Sequence, residues 1–469
     1  MDMSYSATLP AWCGELSARL SGMAQELWKT VKPWDVSSFR VTPEEMGYPG
    51  CGLATAYIQA AIDLAHDHGG GTVLLSKGEY VSGTLVMRSG VRLKIAEFST
   101  LMGSTDLADY PEHHARRLTV QDTSMGMHQS LIYAEDCEDI GICGPGTIDG
   151  RGSQASFPGA ETAQGTPGRP FVMRIIDCRR VHVARIILRD SPCWMQNYLN
   201  CEDVLIEHIV VRNHANYNND GIDLDGCRNV IVHACSVHSG DDALCLKGAS
   251  QRPMERVLVQ DCHLYSACNA FKIGTDTQGD FRDILVRRCK IGGLEQDPSG
   301  LKHPWCDSAI SLEMVDGGTV ANIHLTDLEI SRAWSPFFMR LEDRGRVKPG
   351  DPAPGPGTLR RVFIENVQAE SAGPRGSYFI GIPEKPIEDV ALSAVSIRQR
   401  ASEKPALPPS AVGELRGVYP DAHMIDDLGN APAYALWARH VHGLSLSNYQ
   451  VTTEGEDPRP AFALDDDVY

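Results

Sequence analysis

The sequence predicts an all-β protein that forms a right-handed parallel β-helix solenoid with a helical cap at its N-terminal end. Short phrases rich in valine and isoleucine recur along the chain, and six of them follow a cysteine. The last five of these cysteines are separated by 23 to 35 residues. Such a period is typical of a solenoid, in which each coil buries its apolar side against the next. An array of β-sandwiches is the competing architecture, but its strands rarely repeat one phrase so often.

The repeated phrase has a recognisable form. In "YLNCEDVLIEHIVV" and "LDGCRNVIVHACSV" the cysteine is followed by a turn that carries Asn, Asp or Arg and then by a short alternating strand. Later copies such as "VANIHLTDLEI" and "LRRVFIENVQA" lose the cysteine but keep the strand. Alternation places valine and isoleucine on one face, so these residues are expected to line a continuous interior.

Two helices are predicted near the N-terminus. Apolar residues from Leu16 to Val31 recur at helical spacing, and residues 53–71 form a second helical stretch that ends in three glycines. The second helix would cap the exposed end of the solenoid. We therefore expect a helical extension over residues 1–35 and a single catalytic β-helix domain over 36–469. Proline- and glycine-rich segments predict loop insertions near 290–308, 343–358 and 401–435.

Composition excludes several classes of function. The net charge of −18 disfavours binding to nucleic acid or to anionic membranes, and no apolar stretch approaches the roughly 20 residues of a membrane span. The first residues lack the pattern of a signal peptide, so we expect a cytoplasmic protein, or a secreted one whose signal has been removed. The 14 cysteines contain no C-x-x-C pair, which favours free buried thiols over a zinc site. Neither a metal nor a cofactor is expected, and the oligomeric state is left open.

Three aspartates stand out. Asp220 lies in "NYNNDGIDLDG", and Asp241 and Asp242 lie in "SGDDALCLKG", with Asp241 following Asp220 by 21 residues. This separation is close to one coil, so Asp220 is predicted to lie beside the pair on the neighbouring rung. Adjacent residues of a regular strand face opposite sides, so the pair is expected in a turn or bulge.

Three interpretations of this acidic cluster are open. It could be a solvated acidic surface. It could be a calcium site, with oxygen ligands from Asp220, Asp223, Asp225, Asp241 and Asp242. It could also perform acid–base chemistry, because crowded carboxylates separate one another's pKa values, as glycoside hydrolysis requires.

The stretch "NNDGIDLDGCRNVIVHACSVHSGDDALCLKG" resembles the active-site region of glycoside hydrolase family 28, the polygalacturonase-like pectin hydrolases. The resemblance covers most of residues 40–290, including "LIYAEDCEDIGICGPGTIDGRG". It implies a right-handed parallel β-helix, which agrees with the repeat, and an inverting hydrolase that acts on carbohydrate. It also implies that Asp241 is the general acid and that Asp220 and Asp242 activate water. Asn218 matches the family's motif asparagine and would orient a carboxylate or a sugar hydroxyl, or would simply be a turn residue.

Two features of the family are replaced in this chain. Asn269 in "ACNAFKIGTD" stands where the family has a histidine, and Glu313 in "AISLEMVDGG" lies near the position of its uronate-binding cation. A carboxylate there would repel a uronate, so we expect a pectin-related or other plant-derived substrate with a neutral sugar at the cleaved position. Simple polygalacturonate is not expected.

Other residues could compensate for the replaced cation. Lys247, Lys272 and Arg340 are candidates, although Lys272 could form a structural ion pair with one of the aspartates and Arg340 could be a turn residue. Trp305, in an insertion, could stack on a sugar ring. Insertions that block the groove would make the enzyme exo-acting.

Two alternative functions remain. One is a calcium-dependent polysaccharide lyase on the same fold, which would need a strong base and the ion. The other is a β-helix protein that binds glycans without turnover.

Overall fold

The structure is a computed structural model that describes residues 3–6, 8–117, 119, 126, 128–160, 168–298, 300–424, 426 and 430–469. The chain divides into two compact units. The N-terminal unit contains Glu26–Ala243 and Asp297–Lys302, and the C-terminal unit contains Met1–Gln25, Leu244–Gln296 and His303–Tyr469. The predicted boundary between residues 1–35 and 36–469 stays a prediction.

The elements are numbered along the chain. The first are β1 (Met3–Ser6), α1 (Ala11–Thr30), β2 (Arg40–Val41), α2 (Thr55–Asp67), β3 (Gly71–Leu75), β4 (Glu79–Ser82), β5 (Leu85–Val86), β6 (Val91–Ile95), β7 (Thr100–Gly103), β8 (Ser130–Glu135), β9 (Glu138–Cys143) and β10 (Thr147–Asp149). They are followed by β11 (Phe171–Ile176), β12 (Arg179–Ala184), β13 (Ile187–Arg189), β14 (Gln196–Leu199), β15 (Glu202–Glu207), β16 (Val210–Asn213), β17 (Ile222–Asp225), β18 (Arg228–His233) and β19 (Ser236–Ser239).

The remaining strands belong to the C-terminal unit. They are β20 (Leu244–Lys247), β21 (Met254–Gln260), β22 (His263–Ser266), β23 (Asn269–Ile273), β24 (Phe281–Gly293), β25 (Cys306–Met314), β26 (Thr319–Ser331), β27 (Ala333–Leu341), β28 (Thr358–Ala372), β29 (Ser377–Ile380), β30 (Ile387–Arg400), β31 (Leu436–Arg439), β32 (Val441–Glu454) and β33 (Phe462–Leu464). Short 3-10 turns lie at Leu107–Asp109 and Pro409–Ala411.

Each unit contains two sheets whose strands are parallel, except that β1 pairs antiparallel with β32 in the C-terminal unit. In the N-terminal unit, sheet I runs β5–β8–β11–β14–β17. Sheet II contains the other strands of that unit, with series such as β3–β6–β9–β12–β15–β18. In the C-terminal unit, sheet I runs β20–β23–β25–β27–β29–β31–β33, and sheet II runs β21–β24–β26–β28–β30–β32. The predicted all-β, right-handed parallel β-helix is confirmed.

The repeated cysteines mark two corners of the coils. Cys137, Cys178, Cys201 and Cys227 lie between a strand of sheet I and a strand of sheet II, whereas Cys262 lies between β21 and β22 and Cys289 lies within β24, all of sheet II. The residue before each of these cysteines has a positive φ, between 49° and 57°, at Asp136, Asp177, Asn200, Gly226, Asp261 and Arg288. Glycine, asparagine and aspartate adopt this left-handed conformation most readily, which explains the polar residue that usually precedes the cysteine. The thiols turn inward and are buried, and the backbone N–H of Cys137 donates to Sγ of Cys178 at 3.4 Å. All 14 cysteines are free.

Helix α2 covers the edge of sheet I in the N-terminal unit. Its apolar face, which includes Ile58 and Ile62, is buried. The side-chain amide of Gln59 donates to the carbonyl of Val86 at 3.0 Å and accepts from its N–H at 2.8 Å. The backbone of edge strand β5 is therefore satisfied by the helix instead of being left open to another strand. Neither α1 nor α2 is long and apolar enough to cross a bilayer.

Candidate active site

Asp220 directly precedes β17 in the N-terminal unit and is 3% exposed. Buried amide side chains hold the backbone here. The Asn213 side chain donates to the carbonyl of Asp220 at 2.8 Å, and the Asn219 side chain donates to the carbonyls of Ser191 and Cys193 at 2.8 and 2.9 Å. The position of Asp220 is thus set by the preceding coil, and these asparagines are required for the loop rather than for solvent contact.

Asp241 and Asp242 form a turn between β19 and β20, as the break in alternation predicts. The hydroxyl of Ser239 donates to the carbonyl of Asp241 at 2.6 Å, and the N–H of Asp242 donates to Oδ1 of Asp241 at 3.0 Å. Asp242 is buried, at 4% exposure, whereas Asp241 is partly exposed.

The structure brings Asp220 and the Asp241–Asp242 pair together. The N–H of Asp241 donates to the carbonyl of Asn219 at 3.3 Å, and the N–H of Gly221 donates to the carbonyl of Asp242 at 2.9 Å. The residues on both sides of Asp220 are therefore hydrogen-bonded to the pair. A side chain at position 221 would also collide with this turn, since a Cβ there would lie 2.5 Å from the carbonyl oxygen of Ala243.

A lysine that sequence analysis did not identify contacts the cluster. Nζ of Lys302 lies 3.1 Å from Oδ2 of Asp241, and both side chains are about 15% exposed. Lys302 belongs to the predicted insertion 290–308, where no periodic pattern connects it to a site. A cation at this distance favours the ionised form of a carboxylate.

The loop that carries Lys302 is anchored in the same unit. The backbone N–H of Lys302 donates to Oδ2 of Asp297 at 3.0 Å. Oδ1 of Asp297 lies 3.5 Å from Nδ1 of His214. Burial lowers the pKa of His214 to about 4, although the charge of Asp297 acts in the opposite direction. His214 is thus neutral at neutral pH, so its contact with Asp297 is not an ion pair.

Asn218, the predicted motif residue, has a φ of 53° and is partly exposed. Its side-chain oxygen accepts from Arg169 at 2.9 Å, and Arg169 also donates to the carbonyl of Tyr217 at 2.8 Å. Arg169 is only 2% exposed. It was not identified from the sequence, because a lone arginine outside the repeated phrases carries no pattern.

In the C-terminal unit, Lys272 and Glu313 form a buried ion pair. Nζ of Lys272 lies 3.4 Å from Oε2 of Glu313, with side-chain exposures of 4% and 0%. The hydroxyl of Ser311 donates to Oε1 of Glu313 at 2.5 Å. Lys272 thus forms the structural pair that was one of its two predicted roles, with Glu313 as the partner rather than an aspartate.

Arg340 lies on β27 and is fully buried. It pairs with Glu342 at 3.3 Å and donates to the carbonyls of Gly381, Glu414 and Leu415 at 3.0 to 3.4 Å. The last two lie in segment 401–435, which we call the strap. Arg340 is therefore a strand residue rather than a turn residue, and its guanidinium contacts protein groups. A role in binding substrate stays a prediction.

Three further predicted residues lie in the C-terminal unit. Asn269 on β23 accepts from the Ser308 hydroxyl at 2.5 Å and lies 3.4 Å from the carboxylate of Asp421 in the strap. Lys247 is a buried residue of β20, 5% exposed. The ring of Trp305 has Arg400 over it at 4.3 Å and the ring of Trp334 at 5.4 Å, so these two side chains already contact the predicted sugar platform.

Comparison with known proteins agrees with this architecture. Residues 75–407 match the model of glycosyl hydrolases family 28. A probable polygalacturonase from Vitis vinifera is 23% identical over 354 residues, which cover 72% of this chain and 68% of that protein. Probable exopolygalacturonase X from Aspergillus terreus is 24% identical over 326 residues, which cover 66% of this chain and 71% of that protein.

A solved structure, the hyperthermoactive exopolygalacturonase from Thermotoga maritima, superposes with a TM-score of 0.67 at 20% identity and covers 81% of this chain and 91% of that one. This likeness supports the fold. Because the family model spans well over half of the sequence, the chain belongs to glycosyl hydrolases family 28 and is a glycoside hydrolase.

Proposed function

We propose that the protein is an inverting, exo-acting glycoside hydrolase that removes a neutral sugar from a pectin-related oligosaccharide or polysaccharide. The observation that carries the proposal is the pair of backbone hydrogen bonds that join the residues on both sides of Asp220 to Asp241 and Asp242. Asp241 protonates the leaving glycosidic oxygen as the bond to the anomeric carbon breaks. A water molecule attacks that carbon from the opposite face and gives its proton to Asp220 or Asp242.

The Lys302–Asp241 ion pair sets a condition on this mechanism. A general acid must be protonated when the sugar binds, and a cation at 3.1 Å favours the carboxylate. Occupation of the site must therefore displace Nζ of Lys302 from Asp241. The loop that carries Lys302 is held by Asp297 through its backbone, so the side chain can move while the loop stays anchored.

The Lys272–Glu313 pair supports a neutral sugar, because Glu313 lies near the position that the family resemblance gives to the uronate-binding cation. A uronate needs a cation whose charge is available to its carboxylate, but Glu313 already neutralises Lys272 in a buried setting. To bind a uronate there, the protein would have to break this pair and leave Glu313 buried without its cation, which is costly.

The strap supports exo action. Within the C-terminal unit it packs on the outer face of sheet I, where Val412, Ala422 and Met424 form an apolar cluster with Phe338 and Trp437. Arg340 and Arg439 add hydrogen bonds to strap carbonyls, among them those of Glu414, Leu415, Val412, Gly413 and Pro409. The strap therefore leaves this face of the C-terminal unit closed to a polysaccharide, which we take to favour cleavage at a chain end.

The proposal is tested by a screen of pectic and neutral plant oligosaccharides with the wild type and the variants Asp220→Asn, Asp241→Asn and Asp242→Asn. Each variant is expected to fold and to lose most of the turnover, since asparagine preserves the volume but neither donates nor accepts the required proton. Near-native turnover by Asp241→Asn would contradict the acid assignment. Absence of turnover on every neutral-sugar linkage, with turnover on polygalacturonate, would contradict the substrate proposal.

A further inference from the structure

A groove with a volume of about 660 Å³ lies on the outer face of sheet II in the N-terminal unit. Its floor is formed by strands β3, β6, β9 and β12, and one wall is the segment 33–40. The three aspartates precede or follow strands at sheet I, so this groove is on the other sheet of the unit. The mechanism makes no use of it.

The strand register places cations along the groove. Arg40 on β2 pairs with Thr72 on β3, and Thr72 pairs with Arg92 on β6. In the neighbouring row, Lys94 on β6 pairs with Cys143 on β9. Cys143 also pairs with Ala184 on β12, and Ala184 directly precedes Arg185. Successive rungs are about 4.8 Å apart, so these cations recur along the direction in which the coils stack.

The charge of the groove is opposite to that of the protein. Four arginine and lysine side chains line it, with Glu207 as the one carboxylate among the lining residues, whereas the whole chain carries −18. Glu207 is already engaged, since its Oε1 lies 3.1 Å from Nε2 of His182. Within the part of the chain that the structure describes, Arg40, Arg92 and Lys94 form no ion pair. Their charge is therefore available to a ligand.

Arg92 is held in place before any ligand arrives. Its guanidinium carbon lies 5.2 Å from the ring centroid of Trp34. The packing requires glycine on the next strand, because a Cβ at Gly141 would lie 2.8 Å from the Trp34 ring. A guanidinium fixed by stacking loses less entropy on binding a carboxylate than a mobile one does.

We propose that this groove is a second, non-catalytic carbohydrate site that binds a uronate-bearing stretch of a pectin-type chain. The inference deepens the proposed function and rests on it for the class of substrate. Carboxylates that recur along a uronate chain match cations that recur along the coils. An exposed ion pair contributes little by itself, so affinity comes from several contacts together. A chain held here raises the local concentration of its ends near the enzyme.

The test measures binding of an oligogalacturonate by calorimetry and NMR to protein carrying Asp241→Asn. The groove variant adds Lys94→Glu and Arg185→Glu, both exposed positions. The matched control adds Lys29→Glu and Lys77→Glu, two exposed lysines outside the lining, with the same change of charge. The groove variant is expected to bind about tenfold more weakly, with a smaller salt dependence, and the control to bind as before.

Equal weakening in both variants would overturn the proposal, because it would show a general field effect. Displacement of the oligogalacturonate by inorganic phosphate at equal concentration would also overturn it, because the groove would then be a simple anion site. An uncharged oligosaccharide of the same length is expected not to bind. The readout is binding and not turnover. If the wild-type protein bound the oligogalacturonate in the groove but hydrolysed no substrate, only the hydrolase proposal would be contradicted. With Asp241 intact, the groove variant is expected to cleave short neutral substrates at the wild-type rate.

Discussion

Nζ of Lys302 lies 3.1 Å from Oδ2 of Asp241, although the two residues are 61 positions apart in the sequence. The contact joins the proposed general acid to a loop inserted between two coils, and the loop is itself anchored through Asp297. An ion pair at an acid catalyst affects its protonation directly. Lys302, a residue of the insertion, is therefore expected to affect the pH dependence of the reaction through Asp241.

Replacing Lys302 with methionine is expected to move the basic limb of the kcat/KM pH profile to higher pH. This limb reports the pKa of the acid in the free enzyme, and removal of the neighbouring cation raises that pKa. Lys302→Arg keeps the charge and is expected to keep the wild-type profile. An unchanged profile in Lys302→Met would mean that Asp241 is not the group that must be protonated.

Breaking the Lys272–Glu313 pair is expected to destabilise the protein by about 3–5 kcal/mol in Lys272→Met, because Glu313 would remain buried without its cation. The double variant Lys272→Met/Glu313→Gln removes both charges and is expected to recover most of that loss. Urea unfolding followed by circular dichroism measures both. If the double variant were no more stable than the single one, the pair would not be the buried, mutually dependent contact described above.

Arg340→Met is expected to loosen the strap, since the guanidinium donates to two strap carbonyls. The variant should be cut more readily by protease within residues 401–435 and should begin to release internal fragments from a polymeric substrate. Chromatography of early products detects this change. Arg398→Met, on an exposed position of the same unit, is the control and should leave the product pattern unchanged. If the Arg340→Met protein were sensitive to protease but still released only terminal products, the strap would not be the cause of exo action.

Two substitutions of Asp177 test the left-handed corner of the coil. Asp177 has a φ of 49°, so Asp177→Val is expected to cost about 1–2 kcal/mol, whereas Asp177→Gly should be close to neutral. Thermal unfolding of the two variants provides the comparison. Equal losses would show that the side chain of Asp177, and not its backbone conformation, is what the corner requires.

Much of the fold could be predicted because it repeats. Asp177 and Cys178 form a left-handed corner that is followed by the alternating strand β12. In the next coil Asn200 and Cys201 form the same corner before β15, so the same local pattern occurs again. Asp220, Asp241 and Asp242 could be brought together for the same reason, since their separation is close to one coil.

The partners of these residues could not be predicted in the same way. Lys302 reaches Asp241 from an insertion, and Arg340 contacts the strap some 75 positions away. Such contacts depend on the path of irregular loops, which no period describes. For the same reason Lys272 was not assigned to Glu313, because the insertion at 290–308 lies between their paired strands β23 and β25.

The most direct test of the central claim is the configuration of the first sugar released by the wild-type enzyme, followed by NMR before mutarotation. Water activated by Asp220 or Asp242 on the face opposite Asp241 predicts that the anomeric configuration is inverted relative to the cleaved bond. Release of a sugar with retained configuration would contradict the account, because it would require one of these carboxylates to form a covalent bond to the sugar.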